Sequence, residues 1–185
     1  MARTASAMIP LGTPIIDFEL PDPVSGGKKS LWKLLSDKAT LIVFMCNHCP
    51  FVKNINEELL RLSKDYQTKG ASMIAINSND VENFPEDSPE EMKKMAESLG
   101  YTFPYLFDED QKVARAYKAA CTPDFFLFDG RGKLVYRGQL DDSRPGNEVP
   151  VTGKDLRKAL DTLLKGQKVF QEQKPSIGCN IKWKS

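Results

Sequence analysis

The stretch Val43-Phe44-Met45-Cys46-Asn47-His48-Cys49-Pro50-Phe51-Val52 decides the fold. It is preceded by Thr40-Leu41-Ile42-Val43-Phe44, a short apolar run that suits a strand buried on both faces. It is followed by Val52, Ile55, Leu59, Leu62 and Tyr66, which recur in steps of three and four as one apolar helix face does, until Gly70 ends the run. A strand therefore runs into a C-x-x-C pair, and a helix starts at or just after it. Backbone N–H groups and the dipole at a helix N-terminus favour a thiolate over a thiol. A second thiol three residues away can release a mixed disulfide formed by the first. His48, the only histidine in the chain, lies between the two cysteines. As an imidazolium it would favour a neighbouring thiolate and push the pair toward a more oxidising potential; the plainer reading is an exposed loop residue.

Outward from this centre the chain reads as one α/β domain over residues 1–185, with an N-terminal arm (1–12) and an irregular C-terminal tail (167–185). Toward the N-terminus, Ser30 is placed to cap a short helix carrying Leu31, Trp32, Leu34 and Leu35. Before it, Pro14 to Pro21 alternates loosely and breaks at Pro23, Gly26 and Gly27, which suggests a short hairpin or edge ribbon. Toward the C-terminus, Ser72 to Asn77 is a second buried strand, and an acidic loop follows through Asp80, Glu82, Glu86 and Asp87. Ser88 and Glu91 form a capping box, with Pro89 at the first helical position and Gly100 after Leu99. Val113 to Ala120 reads as a short helix ending before Cys121-Thr122-Pro123. Phe125 to Phe128 and Leu134 to Arg137 are strands joined by the hairpin chemistry of Asp129-Gly130-Arg131-Gly132. Thr152 with Asp155 starts a last helix carrying Leu156, Leu160, Leu163 and Leu164, closed by Gly166; the tail beyond it holds Cys179 and Trp183. This order predicts helices flanking a central mixed β-sheet.

The hydrophobic and charged fractions, 41% and 28%, are ordinary for a globular protein, and a formal charge of +1 implies no broad attraction to nucleic acid or anionic membrane. The longest apolar stretch, Leu41 to Met45, is far too short to span a bilayer. Met1 to Pro10 lacks the continuous apolar segment of a signal peptide, so the cytoplasm is the expected location. Four cysteines are too few for a disulfide scaffold, and in a reducing compartment a close pair points to redox or metal chemistry. Haem attachment fails because Pro50, not His, follows Cys49. Zinc would need further ligands, and Cys121 and Cys179 lack paired ligand spacing, so no metal or other cofactor is expected. Two inert buried cysteines fit poorly with a position between a buried strand and an amphipathic helix.

On these residues the chain resembles the thioredoxin-like superfamily, in the group spanning thiol–disulfide oxidoreductases and the alkyl hydroperoxide reductase/thiol-specific antioxidant (redoxin) proteins. The resemblance covers nearly the whole chain, through Gly12-Thr13-Pro14 to Phe18-Glu19-Leu20, the C-x-x-C strand, Phe103-Pro104-Tyr105-Leu106-Phe107-Asp108, and Thr122-Pro123 to Phe128-Asp129-Gly130. It is closer still to bacterial thiol-disulfide isomerase/thioredoxin proteins, which share the block Cys46 to Pro50 and the tail Ile177-Gly178-Cys179-Asn180-Ile181-Lys182-Trp183. The resemblance implies a thioredoxin-like fold and an enzyme that reduces, oxidises or isomerises disulfides through Cys46 and Cys49, with His48 and Pro123 as further catalytic residues. Pro123 would be a cis-proline facing the cysteines, its backbone pairing with a bound substrate chain, and Met45, Asn47, Pro50 and Thr122 would contact that substrate. Partners implied are a disulfide- or thiol-containing protein or small molecule and a thiol reductant such as a thioredoxin or glutathione system. A monomer or weak homodimer is expected, with no nucleic acid or membrane partner.

Several positions depart from the pattern. Met45 stands where thioredoxins carry a Trp. Reading C-x-x-C directly makes Cys46 the attacking thiol; aligning without a gap from Phe44 puts Cys49 there instead, with Val52 in the resolving position. A helix beginning at Pro50 would make Cys49 the N-cap, where electrostatic help is strongest, which leans the choice to Cys49 with Cys46 as partner. The buried acid that thioredoxins keep near the pair has no evident counterpart, since Ile42 and Val43 fill that strand. A peroxiredoxin-like thiol peroxidase is the alternative, but Cys46 occupies the position of its Thr and no Arg accompanies Thr122-Pro123. Cys121 and Cys179 are accessory thiols or packing residues. A non-catalytic binding or metal-binding protein, using the acidic loop from Asp80 to Glu91 as a surface, is the third reading.

Overall fold

The computed structural model describes residues 3–185. Its elements in chain order are β1 (Arg3–Ala5), β2 (Glu19–Pro21), β3 (Lys28–Ser30), α1 (Leu31–Leu34), β4 (Ala39–Phe44), α2 (Pro50–Gln67), β5 (Ala71–Asn77), α3 (Pro89–Leu99), β6 (Tyr105–Phe107), α4 (Lys112–Tyr117), β7 (Cys121–Thr122), β8 (Asp124–Asp129), β9 (Leu134–Tyr136), α5 (Lys154–Leu164) and β10 (Ile177–Asn180). Five strands make the central sheet in the order β6-β5-β4-β8-β9. The β4–β5 and β5–β6 pairs are parallel, and β4–β8 and β8–β9 are antiparallel, so the sheet is mixed.

All six residues of β4 are buried because both faces of the sheet are covered. Side chains alternate across a strand. Leu41 and Val43 face a core built with Ile55, Leu59 and Leu62 of α2 and Leu156 and Leu160 of α5. Ile42 and Phe44 face the other core, with Leu31, Ile74, Ile76, Tyr117 and Phe126. Each such side chain contributes roughly 1.5–3 kcal/mol when fully buried. The apolar stripe of α2 keeps that helix on one face, which sets its N-terminus beside the C-terminal end of β4.

Helix boundaries show where local signals compete with tertiary contacts. Ser30 sits at the N-cap of α1 without making a side-chain cap bond. Ser88 does cap α3, its hydroxyl accepting from Glu91 N–H, but the Glu91 carboxylate turns to Lys94, so only half of the capping box forms. α4 stops at Tyr117, short of the expected Ala120, because Lys118 takes a left-handed conformation at φ 53°. α5 is capped by Gly153 at φ 66°, not by Thr152. The Asp155 and Leu156 N–H groups of its first turn donate to the Leu140 carbonyl, which does the work expected of the Thr152 side chain, while the Thr152 and Gly153 N–H groups donate to Asp141. The edge strand β6 lies within the Phe103–Asp108 block, too short to show a period. The early ribbon is present as β2 paired with β3.

The C-terminal tail is the largest correction. Residues 177–180 are not irregular: β10 is the middle strand of a second sheet, antiparallel to β1 of the N-terminal arm and to β7. Ile177-Gly178-Cys179-Asn180 has no alternation to announce a strand. What makes the pairing feasible is Gly178, where a Cβ would sit 2.0 Å from the Thr122 carbonyl oxygen. The chain beyond is held as well, by Lys182 N–H on Asn79 Oδ1 at 2.9 Å, Lys184 N–H on Gln111 Oε1 at 2.9 Å, and Arg115 stacked 4.4 Å over Trp183. Beneath β7, the fully buried Asp124 and Arg137 form an ion pair, and Asp124 also accepts from Ala120 N–H at 3.0 Å.

Gly178→Ala should therefore cost about 1–3 kcal/mol in urea unfolding, the usual range for overpacking. Amide hydrogen exchange should rise first at Thr122 and along β10 while β4 and β5 stay protected; equal exchange in variant and parent would contradict the close approach.

Candidate active site

Cys46 lies two residues past the end of β4, where Met45 N–H still bonds Ile76 O at 2.9 Å. Cys49 is the N-cap of α2, with extended backbone at φ −66°, ψ 122°. Its position before Pro50 explains both facts, since proline holds the preceding residue out of the α region and itself suits the first helical position. The Cys49 carbonyl accepts from Val52 and Lys53 N–H at 3.1 and 3.0 Å, which opens the helix. Facing the pair is β7, and the Thr122-Pro123 peptide bond is cis. Thr122 Oγ1 lies 3.5 Å from Cys46 Sγ, and the Thr122 carbonyl oxygen 3.2 Å from Cys49 Sγ. Cys179 of β10 brings its Sγ to 2.8 Å from Cys49 Sγ. All four cysteines are buried.

The two central thiols are driven apart in acidity. Cys49 is lowered from an ordinary 9.0 to about 5, chiefly by the Cys46 thiol donating to it, against the opposing effect of burial, with Cys179, Thr122 and the Val52 N–H adding to the pull. As a neutral thiol Cys49 has the Thr122 carbonyl to donate to; as a thiolate it gains several donors, and these prevail. Cys46 is pushed well up by that same hydrogen bond to Cys49, then by burial and by the nearby Asp87 charge. Cys179 is raised to about 12 by burial and by its hydrogen bond to Cys49. Cys121 is raised by burial, and its Sγ contacts the Pro123 carbonyl at 3.6 Å.

Asp87 organises the loop between the cysteines. Its Oδ1 accepts from the Asn47 and His48 N–H groups at 2.7 and 3.2 Å, and its Oδ2 lies 2.6 Å from His48 Nδ1 and 2.8 Å from Asn79 Nδ2. Burial alone would push this carboxyl up, but the bonds from His48, Asn79 and Asn47 outweigh it and hold Asp87 below its ordinary value. The hydrogen bond to Asp87 in turn raises His48. Phe84 stacks on the imidazole, with ring centroids 5.4 Å apart. Among the described residues, Cys46, His48 and Asp87 are the group whose ligand atoms, all within 4.8 Å of one another, could meet at a metal ion. Both Asp87 oxygens already serve the loop, so a metal would have to displace its hydrogen bonds.

Of the residues expected at the site, Cys46, Cys49, Thr122 and cis-Pro123 converge directly. His48 is half-buried and faces a cleft of about 630 Å³ lined also by Lys53, Glu86, Glu91 and Lys94. Met45 and Asn47, expected to touch substrate, are buried: Met45 is core, and Asn47 donates to Glu86 O and accepts from the Tyr105 hydroxyl at 3.0 Å. Pro50 is exposed. The expectation that no buried acid attends the pair is wrong, because Asp87 is one; it arrives from the loop after β5, not from β4. The acidic loop is thus not simply a solvated surface. Sequence offered only one hint of this, that Asp87 immediately precedes the Ser88 N-cap and so must lie near a helix start.

Fold and site together define a thioredoxin-like protein, an α/β sheet with a cysteine pair at a helix N-terminus opposite a cis-proline. The chain belongs to the AhpC/TSA family, which it matches over residues 11–137. It is similar to an uncharacterized conserved protein from Geobacillus kaustophilus, at 60% identity over 100% of this chain and 97% of that one with a TM-score of 0.98. It is also similar to a hypothetical protein from Sinorhizobium meliloti 1021, at 50% identity over 98% and 99% with a TM-score of 0.96. More distantly it resembles two proteins named Thiol-disulfide oxidoreductase ResA. That of Geobacillus thermodenitrificans is 25% identical over 71% of this chain and 70% of its own length, and that of Halalkalibacterium halodurans 24% identical over 67% and 65%.

Replacing Asp87 with Ala leaves His48 and two backbone N–H groups without their acceptor, and should cost about 3 kcal/mol of stability. The pH dependence follows from the two shifts. His48 is raised, so its share is complete below its ordinary 6.5 and lost as pH climbs through the raised value. Asp87 is lowered, so its share is complete above its ordinary 3.8 and lost as pH falls through the lowered value. The variant's deficit should thus be greatest between those two values and shrink on either side. An imidazole NMR titration should show His48 moving down on Asp87→Ala, and an unmoved titration would remove Asp87 from this role.

Proposed function

We propose that the protein is a thiol–disulfide oxidoreductase in which Cys49 is the attacking thiolate and Cys46 the resolving thiol. The observation that carries this is the placement of Cys49 as the cap of α2 between Thr122 and Cys179, where hydrogen bonds, the one from Cys46 first, lower it to about 5 while that same bond and burial raise Cys46. The Cys49 thiolate attacks one sulfur of a substrate disulfide, expelling the other as a thiolate that takes a proton, and a mixed disulfide is left on Cys49. Cys46 then attacks Cys49 Sγ, releases the second substrate thiol and closes the Cys46–Cys49 disulfide. The Cys46 proton passes to the departing thiolate. Run backward, the same steps oxidise a dithiol.

Protonated His48 and the Cys49 thiolate favour each other, for the thiolate raises His48 and the coupling is reciprocal. A stabilised thiolate favours the reduced form and so makes the disulfide the more oxidising. Peroxide reduction is the weaker reading. Cys46 stands where such enzymes place a Thr, and Arg137, downstream of the cis-proline, is committed to Asp124 and the Phe126 ring instead of the thiols. The distant likeness to ResA proteins supports disulfide exchange as the activity. Substrates would be protein or small-molecule disulfides and dithiols, with a thioredoxin or glutathione system as the thiol partner. The cytoplasm, a reducing compartment, suits a close cysteine pair in a chain with too few cysteines for a disulfide scaffold. No helix among the described residues is long and apolar enough to cross a membrane.

The reduced protein should show an ultraviolet thiolate signal that titrates in the acidic range. Cys49→Ser should abolish it, together with disulfide reductase activity. Cys46→Ala, by removing the principal donor, should move the titration up toward 9.0. A signal that survives Cys49→Ser, or a titration near 9.0 in the parent, would defeat this assignment.

A further inference from the structure

The geometry points to Cys179 as a third redox thiol that exchanges with Cys49, so that the oxidised protein has two disulfides open to it, Cys46–Cys49 and Cys49–Cys179. This rests on Cys49 being the attacking thiolate. The Cys49 and Cys179 sulfurs are 2.8 Å apart, within about 0.8 Å of a disulfide bond length.

Their approach is built into the backbone and does not depend on a flexible side chain. Cys179 is in register with Thr122, the residue whose hydroxyl touches Cys46 and whose carbonyl touches Cys49. Gly178 permits that register, because any Cβ there would strike the Thr122 carbonyl. On its other edge β10 is held by β1, and Ser176 just before it donates to the Pro123 carbonyl at 2.8 Å. β10 therefore fills the backbone-pairing edge of the cis-proline segment and presents its own cysteine to the thiolate, as an incoming substrate strand would. Cys46, Cys49 and Cys179 are 0%, 0% and 2% exposed, so β10 must part from β7 before an external disulfide reaches Cys49. When β10 closes again over a Cys49 mixed disulfide, Cys179 and Cys46 stand as alternative resolving thiols.

The chemistry balances with glutathione disulfide as oxidant. The Cys49 thiolate attacks it, forms the Cys49–glutathione bond and expels one glutathione thiolate. Cys179 gives up its proton to that thiolate as its sulfur attacks Cys49 Sγ. The Cys179 sulfur's electron pair makes the Cys49–Cys179 bond, the Cys49–glutathione bond breaks with its pair leaving on the second glutathione, and that thiolate takes up a proton from solvent. Two protein thiols lose two electrons and one glutathione disulfide becomes two glutathiones. From an existing Cys46–Cys49 disulfide, attack by Cys179 on Cys49 yields the same bond and returns Cys46 to the thiol with no external reagent.

Glutathione disulfide, followed by alkylation of residual thiols and peptide mass mapping, tests this in Cys46→Ala and in Cys46→Ala/Cys179→Ala. The single variant should release its glutathione and finish with a Cys49–Cys179 disulfide, while the double variant should keep glutathione on Cys49. Cys179→Ser in place of Cys179→Ala gives a second double variant if the first unfolds. Glutathione retained equally in single and double variants, with Cys179 still alkylated, or a Cys49–Cys121 disulfide in its place, overturns the proposal and leaves the oxidoreductase reading intact. A Cys49 that takes up no glutathione and forms no disulfide in any variant overturns both.

Discussion

β4 has no solvent face, and covering it with α2 and α5 on one side and with α1, α4 and the Phe126 layer on the other is the constraint from which the site follows. An apolar strand of this kind must end where its covering helix begins, because the chain has to leave the core and turn back over it. The turn here is four residues long, Met45 to His48, with Cys49 already the helix cap. Cys49 therefore receives the unpaired donors and positive dipole end of α2 as a by-product of burying β4. The antiparallel neighbour β8 runs the other way, so the segment that feeds it, β7 with cis-Pro123, arrives at the same end of the sheet and faces the cysteines.

Three sulfurs then share one patch of backbone. Thr122 offers a hydroxyl to Cys46, a carbonyl to Cys49 and a strand edge to Cys179. Packed this closely and kept from water, the thiols cannot all ionise. One negative charge is stabilised by its neighbours' S–H groups, and its presence holds their protons in place. The charge settles on Cys49, which alone among them caps a helix. Asp87 plays the complementary part on the loop, fixing the Asn47 and His48 backbone and raising the affinity of the His48 imidazole for a proton.

The central sheet and the α2 start were legible because their signals are local and agree with one another: an apolar run, a helical stripe, a Pro at the first turn. The hairpin at Asp129 to Gly132 was legible for the same reason, and Gly132 indeed takes φ 70°. Misread boundaries share one cause. Thr152 lost its capping role to the Leu140 carbonyl, and Glu91 its half of the capping box to Lys94, because a better-placed partner outcompetes the expected one. Asp87 looked like one more acid in a charged loop, and only the fold of that loop onto the cysteines distinguishes it from Glu82 or Glu86.

By itself the amino-acid sequence determined an α/β domain with a cysteine pair at the start of its best helix, since periodicity, capping and turn chemistry act within a few residues; the proline facing that pair was implied by the family resemblance alone. Tertiary structure alone decided that residues 177–180 form a strand, that Cys179 reaches Cys49, and that Asp87 is buried against His48. The last two contacts join positions 130 and 39 residues apart, and β10 pairs with the N-terminal β1. No local pattern encodes them, because the partners for the β10 backbone and the Asp87 carboxylate exist only once the sheet has brought β7 and the end of β4 together.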